Sequence, residues 1–302
     1  MTRISVLPHP LPDPVRAAVE QAPCVLAAPD EAEALIWTGS DPQALTAQLA
    51  TMPAVRWVQL PWAGVEEYLP LMSPTVQWTS ARGVLAEPVA EHALMLSMLA
   101  LRRADRSVRA GRWLPQEPRT LYDAEIVVVG AGAVTTELLR LLAPLRARVT
   151  VVRRRRQEPV EGACRVVGAD RLTEAVGGAD LVVVAAALTA RTRGLIDATV
   201  LKAMRTDACL VNVARGGLVG TDDLATALDA GWIAGAALDV TDPEPLPEAH
   251  PLWRADNCFI TAHCAGDLPY SWPAFAELVR DNIERFAHGR ALRNTVSREL
   301  GY

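Results

Sequence analysis

Short apolar runs alternate with amphipathic stretches along most of this chain. In the first hundred residues ISVL, CVLAA and ALIWTG read as buried strands, separated by Pro- and Asp-rich turns and by the helical DPVRAAVEQA. DPQALTAQLATM sets Asp41 before Pro42, a capping residue followed by proline at the first helical position, and so predicts a helix. VRWVQL is another strand, leading into PWAGVEEYL. From Glu87 the apolar EPVAEHALMLSMLALRRADRSV predicts one long helix. It runs into the polar link RAGRWLPQEPRT, a change of composition that suggests a domain boundary.

A second series follows, with EIVVVG, RVTVV, CRVVG, DLVVVAAA, CLVNVA and GAALDV as strands and helical segments between most of them. Runs of Val, Ala and Ile without polar alternation indicate strands covered on both faces, as in a parallel sheet. SWPAFAELVRDNIERFAHG then places Phe275, Leu278, Val279, Ile283 and Phe286 on one helical stripe that stops at a Gly289 cap. Because this helix follows the completed second series, it is expected to pack back on the first domain.

Composition narrows the class. A chain of 302 residues, half of them hydrophobic, has enough apolar surface for two α/β cores. No apolar run approaches bilayer length, and MTRISVLPHPLP lacks the long apolar stretch of a secretory signal, so neither a membrane partner nor export is expected. Five scattered cysteines (Cys24, Cys164, Cys209, Cys258, Cys264) without CxxC spacing fit a reduced, cytoplasmic compartment and predict no metal site. A net charge of −5 argues against a nucleic-acid partner for the chain as a whole. The four arginines at 153–156 are therefore a local feature.

Upstream of that run, EIVVVGAGAVTTELLRLLAPL gives a strand, a glycine turn and a helix in the order a dinucleotide site needs, its Gly130 standing 23 residues before Arg153. Gly130 permits the turn, Gly132 lets the backbone approach a pyrophosphate, and the amides of Ala133 and Val134 open the helix toward phosphate. Thr135 stands where the third glycine of GxGxxG belongs, and its branched side chain is expected to push the helix slightly outward. The plain alternative is a tight turn with no ligand. At the end of the next strand, where NAD enzymes carry an acid, this chain has Arg153 and Arg154. Guanidinium groups there would grip a 2′-phosphate, giving NADP(H) as the preferred cofactor and NAD(H) as the alternative. A solvated basic loop and a nucleic-acid patch are the competing readings.

Further along come LVNVARGGLVGTDDLATALDAGWIAGAALDVTDPEPLP, HPLW and FITAHCAGD. With EPVAEHALMLSMLALRR and LTARTRGLID, they closely resemble the D-isomer-specific 2-hydroxyacid dehydrogenases, glyoxylate/hydroxypyruvate reductases in particular, over positions 57–294. The resemblance places the family's catalytic arginine at Arg215, its acid at Glu244 and its histidine at His263. It also implies cofactor contacts at Val213, Ala214, Asp239 and Ala265. Substrate carboxylate binding would fall to the turn holding Ala63, Gly64 and Val65, and family members are commonly homodimers. The residue types suit hydride transfer to a 2-keto acid. His263 can pass a proton to the carbonyl oxygen, Glu244 can hold its tautomer, and Arg215 can polarise the carbonyl and pair with the carboxylate. Each also has a plainer reading, as a surface charge, a loop carboxylate or a structural histidine of the kind expected for His92 and His250.

Several positions depart from the family pattern. Besides Thr135, Ala187 and Ala262 replace prolines, and Gly220 replaces an acidic residue. The fold expected is α/β with two Rossmann-like domains. A doubly wound parallel-sheet dinucleotide-binding domain (98–267) is inserted into a flavodoxin-like substrate domain (1–97 and 268–302). The expected function is hydride transfer between NADP(H) and a small 2-keto/D-2-hydroxy acid. The alternatives are a dehydrogenase for phosphoglycerate or a bulky keto acid, and a nucleotide-sensing, corepressor-like protein with little turnover.

Overall fold

The structure is a computed structural model that describes residues 1–154 and 158–302; Arg155 and Arg156 lie outside the described residues. Two compact units emerge, Met1–Leu85 with Asp267–Tyr302, and Ala86–Gly266.

The first unit runs β1 (Thr2–Leu7), α1 (Asp13–Glu20), β2 (Cys24–Leu26), β3 (Ala34–Trp37), α2 (Pro42–Leu49), β4 (Trp57–Gln59) and β5 (Gln77–Thr79), and is completed by the C-terminal helix Leu268–Ala287. Its sheet has the order β2-β1-β3-β4-β5 with every pairing parallel, the flavodoxin-like arrangement. Ile4, Val6 and Ile36 pack on one face against Val15 and Val19 of α1 and Phe275, Val279 and Ile283 of the C-terminal helix. That helix therefore returns to the first unit, as its place in the chain suggested. Leu35, Trp37, Val58 and Trp78 face Leu45 of α2 on the other side. Asp41 caps α2 by accepting the Gln43 amide at 2.8 Å. β2 is an edge strand, so Val25 (41% exposed) and Leu26 (58%) are not buried as their apolar run suggested. β5 was not legible in the sequence, because three residues carry no period of their own and pairing with β4 sets their conformation.

The second unit runs α3 (Ala86–Arg102), α4 (Ala104–Ala110), β6 (Glu125–Val129), α5 (Ala133–Leu142), β7 (Arg148–Arg153), β8 (Arg165–Gly168), α6 (Leu172–Val176), β9 (Leu181–Val184), α7 (Ala198–Ala203), β10 (Cys209–Asn212), α8 (Thr221–Asp229), β11 (Gly235–Leu238) and β12 (Cys258–Ile260). The sheet order is β12-β11-β10-β9-β6-β7-β8, again all parallel. Strand order reverses at β6, which lies between β7 and β9. This is the switch point beside which doubly wound sheets bind their ligands. Val127, Val182 and Leu210 build the core on one face, while Val128, Val183 and Val211 face the other way. That division explains their unbroken apolar runs.

Two expectations are corrected here. The boundary falls at 85/86 and not at 97/98, because Ala90, Ala93, Leu96, Ala100 and Leu101 of α3 share a core with Ile126, Val128 and Val211. The long helix is also broken: Arg103 takes a left-handed conformation (φ 53°), its guanidinium donating to the Ala234 carbonyl at 2.5 Å. Among the described residues no helix is long and apolar enough to cross a membrane.

Candidate active site

The polar candidates of the second unit sit just beyond the carboxyl ends of its strands. Gly130 follows β6, Arg153 ends β7, Arg215 follows β10, Asp239 follows β11 and His263 follows β12. Parallel strands deliver all of these loops to one edge of the sheet.

At the β6–α5 turn Gly130 has φ +118°, and a Cβ there would lie 2.4 Å from the Ala185 carbonyl oxygen. Only glycine fits. Gly132 differs, since a Cβ would meet nothing within 4 Å, so the protein leaves space beside this turn. α5 begins at Gly132 with no side-chain cap, and its first-turn amides, Ala133 and Val134 included, have no intrahelical acceptor. Open space and uncapped amides at a helix N-terminus fit a dinucleotide pyrophosphate. Thr135 is accommodated without the expected conflict: it is fully buried and donates its hydroxyl to the Gly130 carbonyl at 3.1 Å. Arg153 is less simple than expected. Its side chain is 18% exposed and pairs with the Glu158 carboxylate at 2.5 Å, so a 2′-phosphate there would displace an existing anion. Arg154 is exposed beside it.

Arg215 is positioned by its neighbours. Buried Asn212, at the end of β10, donates to the Arg215 carbonyl at 3.0 Å and accepts the Ala214 amide at 3.1 Å. Gly216 packs so tightly that a Cβ would lie 1.9 Å from backbone atoms of Thr241. This presses the arginine turn against the segment carrying Glu244. Thr221 donates to the Asp242 carbonyl at 2.7 Å and Arg193 pairs with the Asp242 carboxylate at 2.9 Å, bracing that segment. His263 Nδ1 stands 2.6 Å from Glu244 Oε1, with both side chains nearly half exposed. An ionised carboxylate holding the hydrogen on Nδ1 leaves Nε2 turned to other work. Asn212 was missed from the sequence, although a polar residue ending an apolar strand run is the signal that could have found it.

Asp239 and Ala265, where the resemblance implies cofactor contacts, are hydrogen-bonded to each other. Asp239 is 1% exposed; Thr261 donates to its Oδ1 at 2.5 Å, the Cys264 amide to Oδ1 at 3.0 Å and the Ala265 amide to Oδ2 at 3.0 Å. Burial alone would raise this carboxyl, but these donors, with His92 nearby, hold it below the usual carboxylate range. Donor atoms of His92, Asp239 and Cys264 lie within 4.8 Å of one another. With both Asp239 oxygens already accepting protein donors, the cluster is a hydrogen-bond network. Val213 is buried at the β10 end, and His250 is structural, accepting the Leu252 amide at 3.3 Å. In the first unit, Ala63, Gly64 and Val65 occupy the loop after β4, Ala63 exposed and Val65 buried. Trp272 is set edge-on against Phe275 at 5.7 Å, a packing contact in that unit's core.

Comparison with known proteins gives these loops a family. The NAD binding domain of the D-isomer specific 2-hydroxyacid dehydrogenases matches residues 92–265. An uncharacterized protein from the proB 3′ region of Corynebacterium melassecola is 34% identical over 281 residues, 90% of each chain. The glyoxylate reductase of Thermofilum pendens is 33% identical over 231 residues, covering 74% of this chain and 68% of its own. Among solved structures, the D-isomer specific 2-hydroxyacid dehydrogenase of Xanthobacter autotrophicus Py2, in complex with NADPH and MES, has a TM-score of 0.85 at 26% identity, covering 100% of this chain and 99% of that one. The chain belongs to the D-isomer specific 2-hydroxyacid dehydrogenases, NAD(P)-dependent enzymes built on two parallel α/β domains.

Proposed function

We propose that this protein reduces a small 2-keto acid, of the size of glyoxylate or hydroxypyruvate, to the D-2-hydroxy acid with NADPH. The observation that carries this reading is the His263–Glu244 pair, 2.6 Å apart at the strand-end edge that also holds the Gly130 turn. NADPH, when bound, supplies the hydride that reaches the keto carbon. His263, protonated and held through Nδ1 by Glu244, gives the Nε2 proton to the carbonyl oxygen, so that the keto acid gains one hydride and one proton. Arg215 pairs with the substrate carboxylate and polarises the carbonyl, where its fork of donors serves better than a lysine. The reverse reaction uses neutral His263 as base. Relatives that carry the name glyoxylate reductase, among them the Thermofilum pendens enzyme, support the small substrate. The complex of the Xanthobacter autotrophicus protein with NADPH supports the cofactor.

Turnover of a keto-acid panel with NADPH and NADH tests the assignment. Glyoxylate or hydroxypyruvate should lead, and tight NADPH binding without oxidation by any 2-keto acid would favour a nucleotide sensor instead. Arg153 sets the cofactor preference in this reading. Removing two charge-assisted hydrogen bonds, each worth about 1.5–3 kcal/mol, should weaken NADPH in Arg153→Asp by roughly 10²–10⁴-fold, with NADH nearly unchanged. An Arg153→Asp enzyme that keeps its NADPH preference would remove the assignment.

The protein in this reading is a homodimer of a reduced cytoplasmic compartment, its five cysteines all free. Exposed apolar side chains of the second unit supply the surface: Met98 on α3, Val108 on α4, and Trp113 (93% exposed) just after it. Light scattering reads the mass directly, and a monomer at micromolar concentration would contradict the dimer.

A further inference from the structure

We propose that His92 is a positioning residue for His263, acting through the Asp239 carboxylate. The inference rests on reading His263 as the acid/base of the proposed reaction. His92 comes from α3, far from the catalytic loops in sequence, and its side chain is 14% exposed. Its Nε2 lies 3.3 Å from Asp239 Oδ1 and 3.0 Å from Thr261 Oγ1. The carboxylate offers only lone pairs, and Thr261 directs its one hydroxyl hydrogen to Asp239 at 2.5 Å. Nε2 must therefore carry its hydrogen and donate into this pair.

Asp239 in turn holds the His263 turn from three sides. The His263 amide donates to the Asp239 carbonyl at 2.8 Å, and the next two amides, Cys264 and Ala265, donate to its two carboxylate oxygens at 3.0 Å each. These bonds keep His263 at φ 49°, a left-handed conformation that a non-glycine residue holds only when its surroundings impose it. In that conformation the ring meets Glu244. Among the described residues, His92 is the one donor to this carboxylate from an element outside the β11–β12 strand ends, so it fixes where the carboxylate points. Losing it leaves Asp239 with donors enough to stay buried, but with its orientation less defined. The imidazole of His263 then loses its alignment more than the fold loses stability.

The test compares His92→Leu, which removes the donor, with His92→Gln, whose amide nitrogen can take the place of Nε2. Readouts are kcat and KM for glyoxylate, the melting temperature, and the ¹H–¹⁵N ring signals of His263 in the protein without substrate. Misplacement of a reacting group by about 1 Å can cost 10²-fold, so His92→Leu should lower kcat by roughly 10–100-fold, with KM moving less than about threefold and His263 signals displaced. His92→Gln should recover kcat to within about threefold of wild type and restore those signals. A His92→Leu enzyme with wild-type kcat and unmoved His263 signals overturns the proposal. So does a His92→Gln enzyme that loses activity and melting temperature together, since His92 would then be merely structural. If His92→Leu does not fold, His92→Asn, too short to reach Asp239, takes its place. The ring signals report the coupling whether or not the enzyme turns over. A fully active His263→Ala variant would instead defeat the reading of His263 itself.

Discussion

His263→Ala is expected to lower kcat for keto-acid reduction by about 10²–10⁴-fold, the usual contribution of a positioned proton donor. NADPH binding should hardly change, because the dinucleotide turn at Gly130 is built by other residues. Glu244→Ala should fall at least about tenfold, since Nδ1 of His263 then loses the acceptor 2.6 Å away and the tautomer is no longer imposed. Steady-state kinetics with a single keto acid checks both. A His263→Ala enzyme retaining more than one-tenth of wild-type kcat would mean that another group, or water, supplies the proton.

Arg215→Ala is expected to lower kcat/KM by about 10²–10³-fold, the cost of removing one preorganised donor to a developing oxyanion. Arg215→Lys should recover little, because an ammonium lacks the planar fork that pairs with a carboxylate. The loss should divide between kcat and KM, as the guanidinium is asked to bind the carboxylate in the ground state and to stabilise charge on the carbonyl oxygen in the transition state. Asn212 offers an independent check on positioning: it holds the backbone on both sides of the turn through the Arg215 carbonyl and the Ala214 amide. Lys at 215 with activity within threefold of wild type would reduce the residue to a surface charge.

Much of this architecture was legible from short stretches of chain. The Val-rich runs around Ile126 and Val182 declared buried parallel strands, and Asp41 before Pro42 declared a capped helix. Gly130 announced a turn that no other residue could make. The order of Arg215, Glu244 and His263 was readable too, because each sits in a contiguous motif. Other features were not. Arg103 breaks the long helix by reaching the Ala234 carbonyl, a partner 131 residues away, and no glycine or proline marks the spot. β2 carries the same apolar signature as its neighbours, yet it is exposed because it falls at the sheet edge.

The candidate site divides in the same way. The sequence by itself determined two α/β domains, the glycine turn at Gly130 and the residue types at the candidate positions Arg215, Glu244 and His263. All of these are encoded in local periodicity, turn chemistry and motif spacing. Only the tertiary structure decided that Asp239 spends its carboxylate on the backbone after His263, and that His92 joins it beside Thr261, a partner 169 residues from His92 along the chain. The physical reason is that such pairings depend on which strands and helices become neighbours, and that order is set by packing of the whole sheet rather than by any stretch of residues within it.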